Sequence, residues 1–185
     1  MILPPRRINP EAAAKMNNIL QQLQTEWIHL LNQSVDRIRH CVNQLTADQV
    51  WWKPGTDQNS IGVLLRHLAG NLNQWIVDGI PNNENSRDRQ AEFDAEMQTS
   101  PERLIQELCQ VVTKANNVLQ GLSAGDLLQQ RRIQDFEITA LGAIMHSIPH
   151  FVGHTHQIVQ LTRMQLGAGY QYHWDPDGPR NVVPL

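Results

Sequence analysis

The sequence predicts an all-α protein built on four long helices. Three observations carry that expectation. Apolar residues recur at three- and four-residue spacing in four separate stretches, no stretch alternates convincingly as a strand, and nothing repeats internally. A chain of 185 residues with 41% apolar content can bury one ordinary core. One domain spanning residues 1–185 is therefore expected, with an N-terminal arm over 1–25 and a loop tail over 167–185.

The first helix is expected from residue 10 to about 45. Pro10 suits a first helical position, EAAAK has high propensity, and Ile19, Leu20, Leu23, Trp27, Leu31, Val35, Ile38 and Leu45 mark an apolar face. Its first half reads as an arm outside the core. TADQVWWKPGTDQNS is a connection with a short helical turn, capped by Thr46 and stopped by Pro54-Gly55. The second helix, NSIGVLLRHLAGNLNQWIVDGI, is capped by Asn59 or Ser60 and buries Leu64, Leu65, Leu68, Leu72, Trp75 and Ile76. PNNENSRDRQAEFDAEMQ is polar with few apolar anchors and is expected as a long surface loop. The third helix opens with a Thr99–Glu102 capping box or with Ser100 before Pro101, and ends at Gly121. RRIQDFEIT is expected as a brief strand or extended segment. The fourth helix runs from near Thr139 to about Leu166 and stops at Gly167.

Several function classes are disfavoured by composition. The net charge is −3 and the pI about 6.2, so no basic surplus is available for a nucleic-acid partner. No apolar run reaches the ~18 residues of a membrane span. MILPPRRINPEAAAK has arginines but no apolar stretch after them, so it is not expected to be a secretory signal. Cys41 and Cys109 stand apart and read as reduced thiols of a cytoplasmic protein.

Half of the eight histidines fall in HSIPHFVGHTHQIVQLTR, at the heart of the fourth helix. At about 100° per residue, His146, His150 and His154 lie within roughly 80° of one another. His150 and His154 are an i, i+4 pair, a spacing that lets two imidazoles point at one ion. His156 lies about 200° round from His154 and faces away. Two ligands do not complete a metal site, and His67, set among Leu64, Leu65 and Leu68, is the candidate third imidazole from a facing helix. Pro149 removes a backbone bond to Met145 and is expected to kink the helix, taking His146 out of reach. Phe151 stands where a metalloprotease HExxH helix has its glutamate, which argues against peptide hydrolysis.

WWKPGTDQNSIGVLLRHLAGNLNQWI together with HSIPHFVGHTHQIVQLTR resembles the DinB/YfiT-like superfamily of bacterial helical proteins. The similarity runs from about Leu31 to Leu166. It implies a four-helix bundle of the DinB/YfiT-like type, here with an N-terminal helical extension, and frequent homodimers. It also implies a three-histidine divalent-metal site, usually nickel or zinc. His67 matches the second-helix ligand, and His150 and His154 match the fourth-helix pair. The family often has glycine where this chain has His156, and does not usually have proline at position 149.

Three neutral imidazoles would leave a zinc, nickel or iron ion its full charge and an open position. Such an ion lowers the pKa of a bound water or thiol. The resemblance accordingly implies an S-transferase or isomerase that acts on a small electrophilic substrate. Its cosubstrate would be a low-molecular-weight thiol such as mycothiol or bacillithiol. Asn71, four residues after His67, and Gln157, three after His154, are the candidates to orient those rings. The alternative expectation is a non-catalytic metal-binding or ligand-sensing stress protein. A third is a helical interaction protein whose histidines are only hydrogen-bonded.

Overall fold

The computed structural model describes residues 9–93 and 99–174. Asn9 opens α1, Pro10–Val42: its side chain accepts the Glu11 N–H at 3.1 Å, and Pro10 follows in the first helical position. The buried stripe of α1 starts at Leu20 and continues through Trp27, Leu31, Val35, Ile38 and Val42. Ile19 and Leu23, expected on that face, are 62% and 36% exposed. Tertiary placement explains this. Gln24 Nε2 donates to the carbonyls of Leu119 and Leu122, 2.9 Å each, at the far end of the antiparallel α5, Pro101–Gln120. Most of α1 before Gln24 therefore extends past that neighbour. Residues 1–8 of the expected arm lie outside the described residues.

Helix α1 stops at Val42 rather than near 45, and Thr46 starts α2, Ala47–Trp51, with a full capping box to Gln49. Ser60 caps α3, Ile61–Leu72, by accepting the Val63 N–H at 3.2 Å. Ile61, Gly62, Val63, Leu64, Leu65 and Leu68 are all buried, so α3 is apolar nearly all round and sits inside the protein. Gly62 lies directly beneath Trp51, since a Cβ there would sit 2.8 Å from the indole. Gly62→Ala is expected to destabilise the fold by about 1–3 kcal/mol through overpacking, read as a lower urea midpoint. An unchanged midpoint would show that α2 yields freely.

The expected second helix does not stay regular to its end. Asn73–Asp78 form a π-helical turn that re-aims Gln74 and Trp75. The polar stretch that follows is not merely a surface loop. It contains α4, Arg89–Phe93, and carries two charged side chains inward to largely buried positions, as described below. Residues 94–98 of that stretch lie outside the described residues. Ser100, not Thr99, caps α5, and Thr99 instead accepts a 2.5 Å hydrogen bond from Arg66 Nη2.

The extended segment is a hairpin, β1 Gln130–Ile133 against β2 Phe136–Thr139, antiparallel with Ile133 opposite Phe136. Its two-residue turn, Gln134-Asp135, holds φ of 50° and 66°, the left-handed pair that a tight hairpin requires. Thr139 then caps α6, Ala140–Leu166, by accepting the Gly142 N–H at 3.0 Å. Gly167, with φ 53°, ends it. Helix α6 passes through Pro149 as one α-helix. The Met145 carbonyl loses its helical donor there, and Met145 is 55% exposed, so water can replace it. Tyr170 and Gln171 fold back on α1, where the Gln171 carbonyl lies 2.6 Å from His40 Nε2.

The protein is thus predominantly helical with one small two-stranded sheet. Helices α1 and α3 each pack on both α5 and α6 around a common core. Among the described residues, no helix is long and apolar enough to cross a membrane.

Candidate metal centre

Helix α6 buries Ile144, Ser147, Ile148, Phe151, Thr155 and Ile158, a stripe at three- and four-residue spacing. His150 and His154 flank that stripe, half-buried, on the side where α6 meets α3. His67 stands on α3 and is only 6% exposed, so its ring must find polar partners inside the protein. The packing brings one ring nitrogen from each of His67, His150 and His154 within 4.8 Å of the others. His67 Nε2 and His150 Nε2 are 2.9 Å apart. The rings meet edge-on, with His154 at 83° to His67 and 86° to His150. Among the described residues, these three are the group of His, Cys, Asp or Glu side chains close enough to share one ion.

The outer nitrogens show how the rings are held. His67 Nδ1 lies 3.1 Å from Glu92 Oε2. An ionised carboxylate only accepts, so Nδ1 carries the proton and Nε2 turns its lone pair toward His150. Arg87 grips the same carboxylate with both arms, Nε to Oε1 at 2.6 Å and Nη2 to Oε2 at 2.7 Å. Its Nη2 is also 3.3 Å from His67 Nδ1. Both atoms are donors sharing Oε2, so that approach is a side-by-side contact. Arg87 Nη1 donates to Gln74 Oε1 at 2.9 Å, and Gln134 Nε2 donates to the same oxygen. Gly70 leaves the space for this arrangement, because a Cβ there would lie 1.9 Å from Glu92 Oε1. On α6, His154 Nδ1 donates to Gln157 Oε1 at 2.8 Å, which turns the other ring nitrogen inward.

The remaining sequence candidates fall elsewhere. Asn71 Oδ1 accepts from Ser147 Oγ at 3.0 Å, which ties α3 to α6. His146 lies over Trp75, ring centres 4.0 Å apart, and parallel to His150 at 6.0 Å. It is outside the three-histidine group. His156 is exposed and 3.4 Å from Arg37 Nη1. Nearby, Trp51 donates to the Thr99 carbonyl and Trp52 is 40% exposed, whereas Trp75 meets His146.

Sequence reasoning missed Arg87, Glu92 and Gln74. Twenty-five residues separate Glu92 from His67, and no local periodicity links them. The available signal was weak: Asp88 accepts the Ala91 N–H, as a short helix start would require.

Electrostatics favours neutral rings at His150 and His154. Burial, reinforced by the charges of His154, His67, His146 and Arg87, pushes His150 down to about 4. Burial also lowers His154, although its bond to Gln157 opposes the shift. Burial pushes the Glu92 carboxyl up, but the Arg87 and His67 hydrogen bonds and charges together hold it below the usual carboxylate range. These shifts have a consequence for the metal-free protein. Between the ordinary histidine value of 6.5 and about 4, the unfolded chain binds more protons at position 150 than the folded one. Stability is expected to fall as pH drops through that window, and His150→Gln is expected to flatten the dependence. Identical pH profiles in urea titrations of the two proteins would contradict this.

Three neutral imidazoles, two with the outer N–H tied to an acceptor, are a donor set that suits borderline divalent ions. The fold is one that a solved DinB-like protein shares. A DinB-like protein from Bacillus cereus ATCC 10987 has a similar structure, with TM-score 0.60 and 14% identity, covering 75% of this chain and 90% of that one. A conserved protein from Enterococcus faecalis is similar at TM-score 0.67 and 15% identity, covering 78% of this chain and 97% of that one. The chain belongs to the family described as "Protein of unknown function (DUF1572)", a DinB-like family, which it matches over residues 17–174. No functionally curated protein matches it.

Proposed function

We propose that the protein is a four-helix bundle of the DinB/YfiT type that binds one zinc or nickel ion through His67, His150 and His154. We further propose that it uses the site for thiol-dependent transfer or isomerisation on a small electrophile. The observation that carries the metal reading is the convergence of three ring nitrogens within 4.8 Å. When bound, the ion supplies Lewis acidity that lowers the pKa of a thiol or water ligand. The chain does the positioning. Glu92 and Gln157 hold the Nδ1 protons of His67 and His154, so the opposite nitrogens stay free as ligands. His150 and His154 are both half-buried, so each keeps some contact with solvent. In the transfer reaction the thiol proton goes to water and the sulfur bonds to the electrophilic carbon. The leaving group departs with its bonding electron pair.

The test is elemental mass spectrometry on tag-free protein, followed by conjugation of bacillithiol to chlorodinitrobenzene before and after chelation. About one ion per chain is expected from a single three-ligand site, with activity lost on chelation and restored by zinc or nickel. Full conjugation by metal-free protein rejects a role for the metal in the transfer, and bound metal without any conjugation rejects the enzyme reading and leaves metal binding or sensing. Absence of metal even after reconstitution rejects both.

A further inference from the structure

We propose that Arg87 and Glu92 couple the docking of residues 84–93 to occupancy of the histidine site, so that this polar segment is part of the metal centre. The inference rests on the metal reading above. Residues 81–93 include one sizeable apolar anchor, Phe93, whose ring centre is 5.2 Å from that of His67. Polar bonds hold the rest: Asn85 Nδ2 to Asp78 Oδ2 at 2.5 Å, Arg87 to Gln74, Arg87 to Glu92, and Glu92 to His67. The Arg87 and Glu92 side chains are 5% and 11% exposed. A buried ion pair contributes little net stability compared with apolar side chains of similar size. Its geometry instead converges on one atom, His67 Nδ1.

The direction of coupling follows from imidazole chemistry. A cation on Nε2 draws electron density from the ring and makes Nδ1–H a stronger donor to Glu92. Docking then strengthens with occupancy, and by reciprocity occupancy strengthens with docking. The carboxylate can reach Nδ1 because Gly70 offers no Cβ. Glu92 is a positioning residue in this scheme, and Arg87 positions Glu92.

Two variants separate positioning from stability. Arg87→Met/Glu92→Leu removes both charges together, which is near-neutral for folding when the pair has no further task. Gly70→Ala removes no polar group but fills the carboxylate's place. Full-length wild type and both variants would be compared zinc-free and zinc-loaded by hydrogen exchange, with zinc affinity from chelator competition. Zinc is expected to slow exchange over residues 84–93 of the wild type about tenfold. Both variants are expected to bind zinc about 10–100-fold more weakly, the usual effect of losing a ligand's orienting partner. Exchange in α5 serves as the folding control. If one variant fails that control, the other carries the comparison. If both fail, zinc-dependent protection in the wild type decides it. Wild type that binds zinc without slowing at 84–93, or folded variants of undiminished affinity, overturns this coupling alone. Wild type that binds neither zinc nor nickel overturns the metal reading and the coupling with it.

Discussion

His67→Ala is expected to reduce bound metal from about one ion per chain to less than about a tenth of that, the largest functional effect of any single change here. His67 is the one member of the three-nitrogen group on α3; His150 and His154 both stand on α6. Without it, only two imidazoles one turn apart remain, and a pair lacks the three or four ligands that stable zinc sites use. The affinity loss should exceed the roughly hundredfold ceiling for an orienting partner. His146→Ala and His156→Ala are the internal controls, because neither residue joins the three-nitrogen group. Elemental analysis of the wild type and the three variants, each checked for a native melting profile, decides the matter. Equal metal in His67→Ala and wild type would mean that any ion sits elsewhere.

Phe151→Glu should give the largest loss of stability and no protease. On paper this substitution completes HExxH, the zinc-protease pattern. In the fold, Phe151 is 1% exposed and belongs to the same hydrophobic core as Ile148 and Ile158. Emptying such a site of its aromatic ring costs about 3–5 kcal/mol, as for Phe→Ala. Burying an unpaired carboxylate adds to that cost. A chain of ordinary marginal stability is expected to be mostly unfolded. Circular dichroism and a casein-cleavage assay read both arms. A folded variant with peptidase activity would place residue 151 on the site face and refute the α6 orientation described here.

Much of this protein was legible in local sequence. The caps at Thr46, Ser60, Ser100 and Thr139 are short-range, since each side chain meets a backbone N–H three residues on. Gly121 and Gly167 end α5 and α6 at the expected places. The angular spacing of His150 and His154, and the apolar setting of His67, follow from helix geometry alone. These features depend on neighbours within one or two turns.

Other features depend on contacts that no periodicity encodes. Ile19 and Leu23 keep the apolar spacing of a core face, yet are exposed because α1 extends past the end of α5. A polar stretch resembling a surface loop delivers Arg87 and Glu92 to His67. Asn71 has the right helical spacing but meets Ser147 rather than an imidazole. The sequence by itself determined the helices, their caps and the histidines available to meet. Only the tertiary structure decided which rings converge and which carboxylate holds His67, because those outcomes depend on how α3 and α6 pack and on the space at Gly70, where a Cβ would lie only 1.9 Å from Glu92 Oε1.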